Sequence, residues 1–298
     1  MQKASWQQLG EQAHFKEGKN GVPYISFPAL EAYPRLRHGY STRLGGVSTG
    51  YCAEMSFSQK CGDTIDQIRE NFRRMAEAIG VREDMLVLTD QVHEATVLPV
   101  SREHVCGGDR QTILHRVDGI VTNEPDLTLV CFTADCVPLF FYDPVKQVIG
   151  LSHAGWRGTV LEIGKKTVQT MREVYGTKAS DLRVVIGPSI CVDCYEISEE
   201  VANAFRKVYP PESTARFLFP HTKGTHFPEG TLPEQQEQHY QLDLWQANRE
   251  ALLAAGVPSD QISVSGVCTC CHADLFHSHR ATGGKRGLLT GYLSIRKQ

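Results

Sequence analysis

Apolar positions fall into two rhythms along this chain. At helical spacing they run through residues 66–79, a stretch opened by the Thr64-x-x-Gln67 capping pattern and closed by Gly80. A second such run opens at Asp243-x-x-Gln246 and stops at Gly256, ahead of Pro258. Between them, residues 159–174 predict a third helix ending near Gly176. The other rhythm is short and nearly continuous, at residues 85–88, 127–132, 148–151, 182–186 and 262–267, and it predicts buried strands.

Each predicted helix is followed by a glycine, an acid (Asp84, Asp181 or Asp260) and then one of these strands. The recurrence fits either an internal duplication or the ordinary alternation of an α/β protein. What leaves each strand is chemically active: Gln91-Val-His93, Gly187-Pro-Ser-Ile-Cys191 and Cys268-Thr-Cys-Cys-His272. Strand exits are where a rigid scaffold presents functional groups. A polar stretch rich in Pro, Gly and His at 219–239 reads as a long surface loop, and Cys106-Gly-Gly-Asp109 as a turn. The unit after the long loop resembles those before it, so the loop does not divide the chain.

A chain of 298 residues with 41% apolar composition can bury a large core. Its net charge of −3, with no strongly basic segment, argues against nucleic acid as a partner. The first ten residues lack an apolar leader, and the greasiest stretch, 127–142, is broken by Asp135 and is too short for a bilayer. The expectation is a soluble, cytoplasmic protein without a membrane partner, whose ten cysteines stay reduced.

Thr133-Ala-Asp-Cys136 and Ser152-His153-Ala-Gly-Trp-Arg-Gly158 put a thiol and an imidazole at the ends of two neighbouring strands. His93 follows a third. Two imidazoles and one thiolate make a three-ligand metal site with a coordination position left for water or substrate. Residue by residue, the competing reading is a satisfied core histidine or cysteine. Asp118 and Asp135 are the acids nearest the ligands; either orients an imidazole or acts as acid/base, and Asp118 also suits a turn with Gly119.

Arg157 and the helix start beside it form an anion seat. Arg43 with Gly45 and Gly46 forms a second, and His279-Arg280 through Gly283-Gly284-Lys285-Arg286 a third. Cys191, Cys194, Cys268, Cys270 and Cys271 supply enough soft ligands for a separate structural zinc, or are simply small apolar side chains.

His38-Gly-Tyr-Ser-Thr-Arg43-Leu-Gly-Gly, Asp90-Gln-Val-His93, Val117-Asp-Gly, Thr133-Ala-Asp-Cys136, Ser152-His-Ala-Gly-Trp-Arg-Gly158, Ile186-Gly-Pro-Ser-Ile and Phe276-His-Ser-His-Arg280 resemble, in order, the laccase-domain proteins. That family carries the name multi-copper polyphenol oxidoreductase and is described as purine nucleoside phosphorylases with adenosine deaminase and methylthioadenosine phosphorylase activities. The resemblance implies one α/β (α+β) domain over 1–298, a mixed β-sheet sandwich flanked by helices with residues 1–36 peripheral. It also implies a metal, zinc or else copper, on His93, Cys136 and His153. Ser56-Phe57 departs from the Asn-Leu pair expected of the family.

The leading expectation is therefore a metal-dependent purine nucleoside phosphorylase and adenosine deaminase using phosphate and nucleosides. Cys136, His153, Asp118 and Arg157 would serve the chemistry, and Arg43, Gly45, Gly46 and Arg280 would hold substrate. A cysteine hydrolase or amidase editing cell-wall precursors, with Cys136 as nucleophile and His153 as base, is the rival. A copper polyphenol oxidase is the weaker one, since a multicopper centre needs repeated His-x-His pairs and this chain has one, His277-Ser-His279.

Overall fold

Strands covered on both faces need no polar alternation, and the longest apolar stretch of this sequence follows that rule. In the computed structural model, which describes residues 12–107, 113–221 and 238–297, it becomes two strands, Thr128–Thr133 and Val137–Asp143, with every residue buried. Alternation of side chains splits each strand between two cores. Leu129 and Cys131 meet Phe140, Tyr142, Ile149 and Leu293 in one cluster. Val130 and Phe132 face the other way, toward Phe72, Met75 and Tyr292, and Leu139 and Phe141 toward Val168, Met171 and Leu252.

Two six-stranded mixed sheets result. The first runs, in spatial order, His14–Glu17, Pro23–Ser26, Leu36–Ser41, Leu289–Ile295, Thr128–Thr133 and Leu86–Val87. The second runs Ile262–Val264, Arg183–Ile186, Val137–Asp143, Val148–Ala154, Gly119–Thr122 and Val97–Pro99. Helix Ile65–Ile79 covers the outer face of the first sheet. Helices Ile163–Tyr175 and Leu244–Ala254 cover the outer face of the second. The expected sandwich with flanking helices is thus observed, as a single α/β domain.

Two predicted helices form where their caps place them. Thr64 and Gln67 exchange both capping hydrogen bonds, at 3.2 and 2.9 Å, and Asp243 accepts the Gln246 amide at 2.9 Å. The third is divided into Trp156–Val160 and Ile163–Tyr175. Glu162 sits at φ +56 in the left-handed region, and the Thr159 carbonyl accepts the Tyr209 hydroxyl at 2.9 Å, so tertiary contacts outweigh helical continuity there.

The three helix–glycine–acid–strand units do not stack as an array. The strand of the first lies at the edge of one sheet, and those of the second and third pair in parallel in the other.

The N-terminal segment differs from its expected peripheral place. Residues 14–36 supply two strands of the first sheet, and Ile25, Phe27 and Leu30 are fully buried. Phe27 packs 5.0 Å from Phe140 between ring centroids. Residues 1–11, positions 222–237 of the expected surface loop, and Gly108 and Asp109 of the expected turn lie outside the described residues.

The expectation of ten reduced thiols is also corrected. The loop from Cys52 to Cys61 returns on itself with its ends 6.1 Å apart between Cα atoms, and they form a disulfide; the other eight cysteines form none. Among the described residues, no helix is long and apolar enough to cross a membrane.

Candidate active site

Register brings the first two ligands together. Strands Val137–Asp143 and Val148–Ala154 pair antiparallel with Pro138 opposite His153, so Cys136, one residue before the first strand, meets the imidazole at the end of the second. His93 arrives from the loop after Thr89–Asp90, with its backbone at φ +63. Asp118 holds that loop. Its buried carboxylate accepts the amides of Val92, His93 and Glu94 at 3.1, 2.9 and 3.1 Å.

The same carboxylate accepts a hydrogen bond from His153 Nδ1 at 2.9 Å. A carboxylate only accepts, so the proton is fixed on Nδ1 and Nε2 is left for the thiol side. One acid thereby orients the His153 imidazole and holds the loop that carries His93. The donor atoms of His93, Cys136 and His153 lie within 4.8 Å of one another. A Cβ at Gly155 would sit 2.9 Å from Cys136 Sγ and 3.0 Å from His93 Cδ2, so only glycine leaves the three their room.

Burial works to raise the Cys136 thiol, yet the flanking His153 and His93 outweigh it and bring the group down to about 6. For His153, burial works downward, and Cys136 with Asp118 lifts it to about 9. Burial opposes ionisation of Asp118 as well, but His153 and the loop amides hold it below the ordinary carboxylate value. A thiolate and two imidazoles with one shared, buried orienting acid match the donor set of a zinc or copper site. These three residues can hold such an ion.

A cavity of about 380 Å³ opens over Cys136 and His93. Its lining combines the rings of Trp156 and Tyr195 and the side chains of Ile190 and Leu244 with three guanidinium groups, Arg157, Arg280 and Arg286. Arg157 stacks 4.2 Å from the Trp156 ring centroid. Arg280 is braced by the carbonyls of Cys194 and Glu196 at 3.1 and 2.7 Å. Arg286 keeps a buried Nε with no hydrogen-bond partner, and burial pushes its guanidinium below the usual value.

The sequence-predicted residues divide cleanly. Cys136, His153, His93 and Asp118 converge, and Arg157 and Arg280 line the cavity above them. Arg43, Gly45 and Gly46 are not in its lining. The Arg43 guanidinium is taken by the carbonyls of Ala53 and Ala273. The Gly45 amide donates to the Glu54 carboxylate at 2.7 Å, so this turn already holds an anion of the protein itself. A Cβ on Gly46 would meet the Glu54 carbonyl at 2.3 Å, which marks a packing glycine.

Asp135, at φ +82, turns its carboxylate away from the ligands, to the Thr269 and Ser278 hydroxyls and the Arg280 amide. The expected helix seat is weak, because the helix after Gly155 spans only Trp156–Val160.

Arg286, part of the third basic turn, also reaches the cavity. Sequence reasoning missed Ile190, Tyr195 and Leu244 as lining residues, and Tyr195 and Leu244 come from segments that carried no signal.

Residues 37–296 match the family described as multi-copper polyphenol oxidoreductase laccase. The chain is 34% identical to a purine nucleoside phosphorylase of Bacteroides thetaiotaomicron, covering 92% of this chain and 96% of that one. It is 35% identical to purine nucleoside phosphorylase YlmD of Bacillus subtilis, covering 87% and 88%. The crystal structure of YlmD from Geobacillus stearothermophilus superposes with a TM-score of 0.81 at 33% identity, over 95% of this chain and 99% of that one. Fold and sequence agree, and the chain belongs to the multi-copper polyphenol oxidoreductase laccase family.

Proposed function

We propose that the protein is a metal-dependent purine nucleoside phosphorylase, acting on adenosine, inosine, guanosine and methylthioadenosine, with adenosine deaminase activity in the same cavity. The observation that carries this reading is the convergence of His93, Cys136 and His153 beneath a cavity lined by three arginines and two aromatic rings. The names of the relatives point the same way. A cavity of about 380 Å³ is in the range of small-ligand sites.

In phosphorolysis a phosphate oxygen bonds to the ribose anomeric carbon as the bond to the purine nitrogen breaks. The electron pair leaves on the base, which then takes a proton. Arg157, Arg280 and Arg286 hold the phosphate and offset its charge in a site partly screened from water. Trp156 and Tyr195 offer flat apolar faces to the purine. Asp118 positions His153 and the His93 loop.

His93, Cys136 and His153 would hold a zinc or copper ion, which would supply Lewis acidity toward a substrate oxygen or water. In deamination the oxygen of a water bonds to the amino-bearing carbon of adenine as its C–N bond breaks, and the amino group takes a proton and leaves as ammonia. A multicopper centre is not supported: His277 donates to the Met55 carbonyl and is buried, so the single His-x-His pair is divided.

Incubation with adenosine, with and without phosphate, tests the proposal. Adenine and ribose phosphate formed only with phosphate, and inosine formed without it, are expected. Neither product from metal-loaded protein would overturn it.

One observation favours the cysteine hydrolase as a second reading. Asp118, His153 and Cys136 stand in line, and the thiol is drawn down to about 6. Metal content separates the two. A stoichiometric ion lost in Cys136→Ala supports the phosphorylase, and rapid alkylation of Cys136 in metal-free, active protein supports the hydrolase.

A further inference from the structure

We propose that Cys191, Cys194, Cys268 and Cys271 bind a structural zinc ion, separate from the His93, Cys136 and His153 site and outside the reaction. The four form two Cys-x-x-Cys pairs on loops that leave neighbouring strands, Arg183–Ile186 and Ile262–Val264, which pair in parallel. Parallel strands exit at one end of the sheet, so the two loops meet. They are fastened there by the Ser189 amide on the Val267 carbonyl at 3.1 Å and the Thr269 amide on the Ser189 carbonyl at 3.2 Å.

The sulfurs of all four lie within 4.8 Å of one another. Cys271 Sγ is 3.9 Å from Cys191 Sγ and 3.4 Å from Cys194 Sγ. A tetrahedral ion with Zn–S bonds of about 2.3 Å requires sulfur–sulfur edges of about 3.8 Å. The Cys268 sulfur accepts the amides of Cys191 and Cys271, each at 3.3 Å, an arrangement that stabilises a thiolate.

Packing of apolar thiols does not account for the quartet. Only Cys268 is buried; Cys191 and Cys194 are half-exposed and Cys271 is exposed. Disulfides do not account for it either, since none of the four sulfurs is bonded to another and Cys271 Sγ stays 3.4 Å from Cys194 Sγ. The ion would have a mechanical purpose, because Ile190 and Tyr195 bracket the first pair and line the cavity, and the Cys194 carbonyl braces Arg280. It would pin that cavity wall to the second sheet.

The test measures zinc in the full-length protein and four variants. About two equivalents per chain are expected if the active-site ion is also zinc. Cys194→Ser and Cys271→Ser each lose one. Cys270→Ser loses none, because Cys270 lies outside the quartet. Cys136→Ala loses only the active-site ion and still takes up cobalt with the charge-transfer intensity of four thiolates.

Should the serine variants fail to fold, the wild type decides by differential alkylation. The four thiols should be protected together and become reactive in one step, with release of one ion to a chelator. Unchanged metal in Cys194→Ser and Cys271→Ser, a metal-free Cys136→Ala protein, a disulfide within the quartet, or iron in place of zinc would each overturn the assignment. The outcome does not depend on nucleoside turnover.

Discussion

Asp118 is the residue on which the site's geometry turns, since one buried carboxylate fixes an imidazole and three amides of the opposite loop. Asp118→Asn should weaken metal binding by about 10- to 100-fold in a chelator competition, because the amide group cannot replace all four accepted bonds. Gly155→Ala should act more directly, expelling the ion while circular dichroism stays unchanged.

Two buried histidines outside the site set a pH dependence. His38 accepts the Phe27 amide at 2.9 Å through Nε2, which requires a neutral ring. Burial takes His38 and His277 from 6.5 to about 4. Such groups bind protons on unfolding, so stability is full above about 6.5 and falls as pH drops toward 4, by about 3 kcal/mol for each. The urea midpoint measured across that window should show it, and His38→Gln should flatten the slope. The ligands and Asp118 were legible as residue types at strand exits. That Arg43 serves the backbone was not, since a guanidinium beside two glycines reads alike whether its partner is a phosphate or a carbonyl.

Helices and strands were legible wherever cap and period agreed. Residues 65–79 and 244–254 followed from Thr64, Gln67, Asp243 and the glycines after them. The division at Glu162 was invisible, because its causes are the distant Tyr209 and Asn248, which bond the Thr159 carbonyl and hydroxyl. The left-handed backbone at Glu162 costs a non-glycine residue stability, so Glu162→Gly should raise the thermal midpoint, by about 0.5–1 kcal/mol in stability. Loss of the Lys165 contact, partly exposed, offsets little of this. The N-terminal strands went unread because each spans four residues, too few for a period to stand out.

For the whole molecule, the sandwich came from the family resemblance and the buried strands from the continuous apolar runs, whereas the order of strands could not be read from either. Strand Leu289–Ile295, last in sequence, lies in the interior of the first sheet between Leu36–Ser41 and Thr128–Thr133. A chain emerging from the ribosome therefore keeps the flanks of both neighbours open until residues 289–295 are free. A stop codon before residue 289 should give sedimenting aggregate rather than a weakened soluble enzyme, as a simple centrifugation of lysate would reveal. Closure of this sheet is thus coupled to the arrival of one late segment: without it, Leu36–Ser41 and Thr128–Thr133 face each other across an unfilled gap.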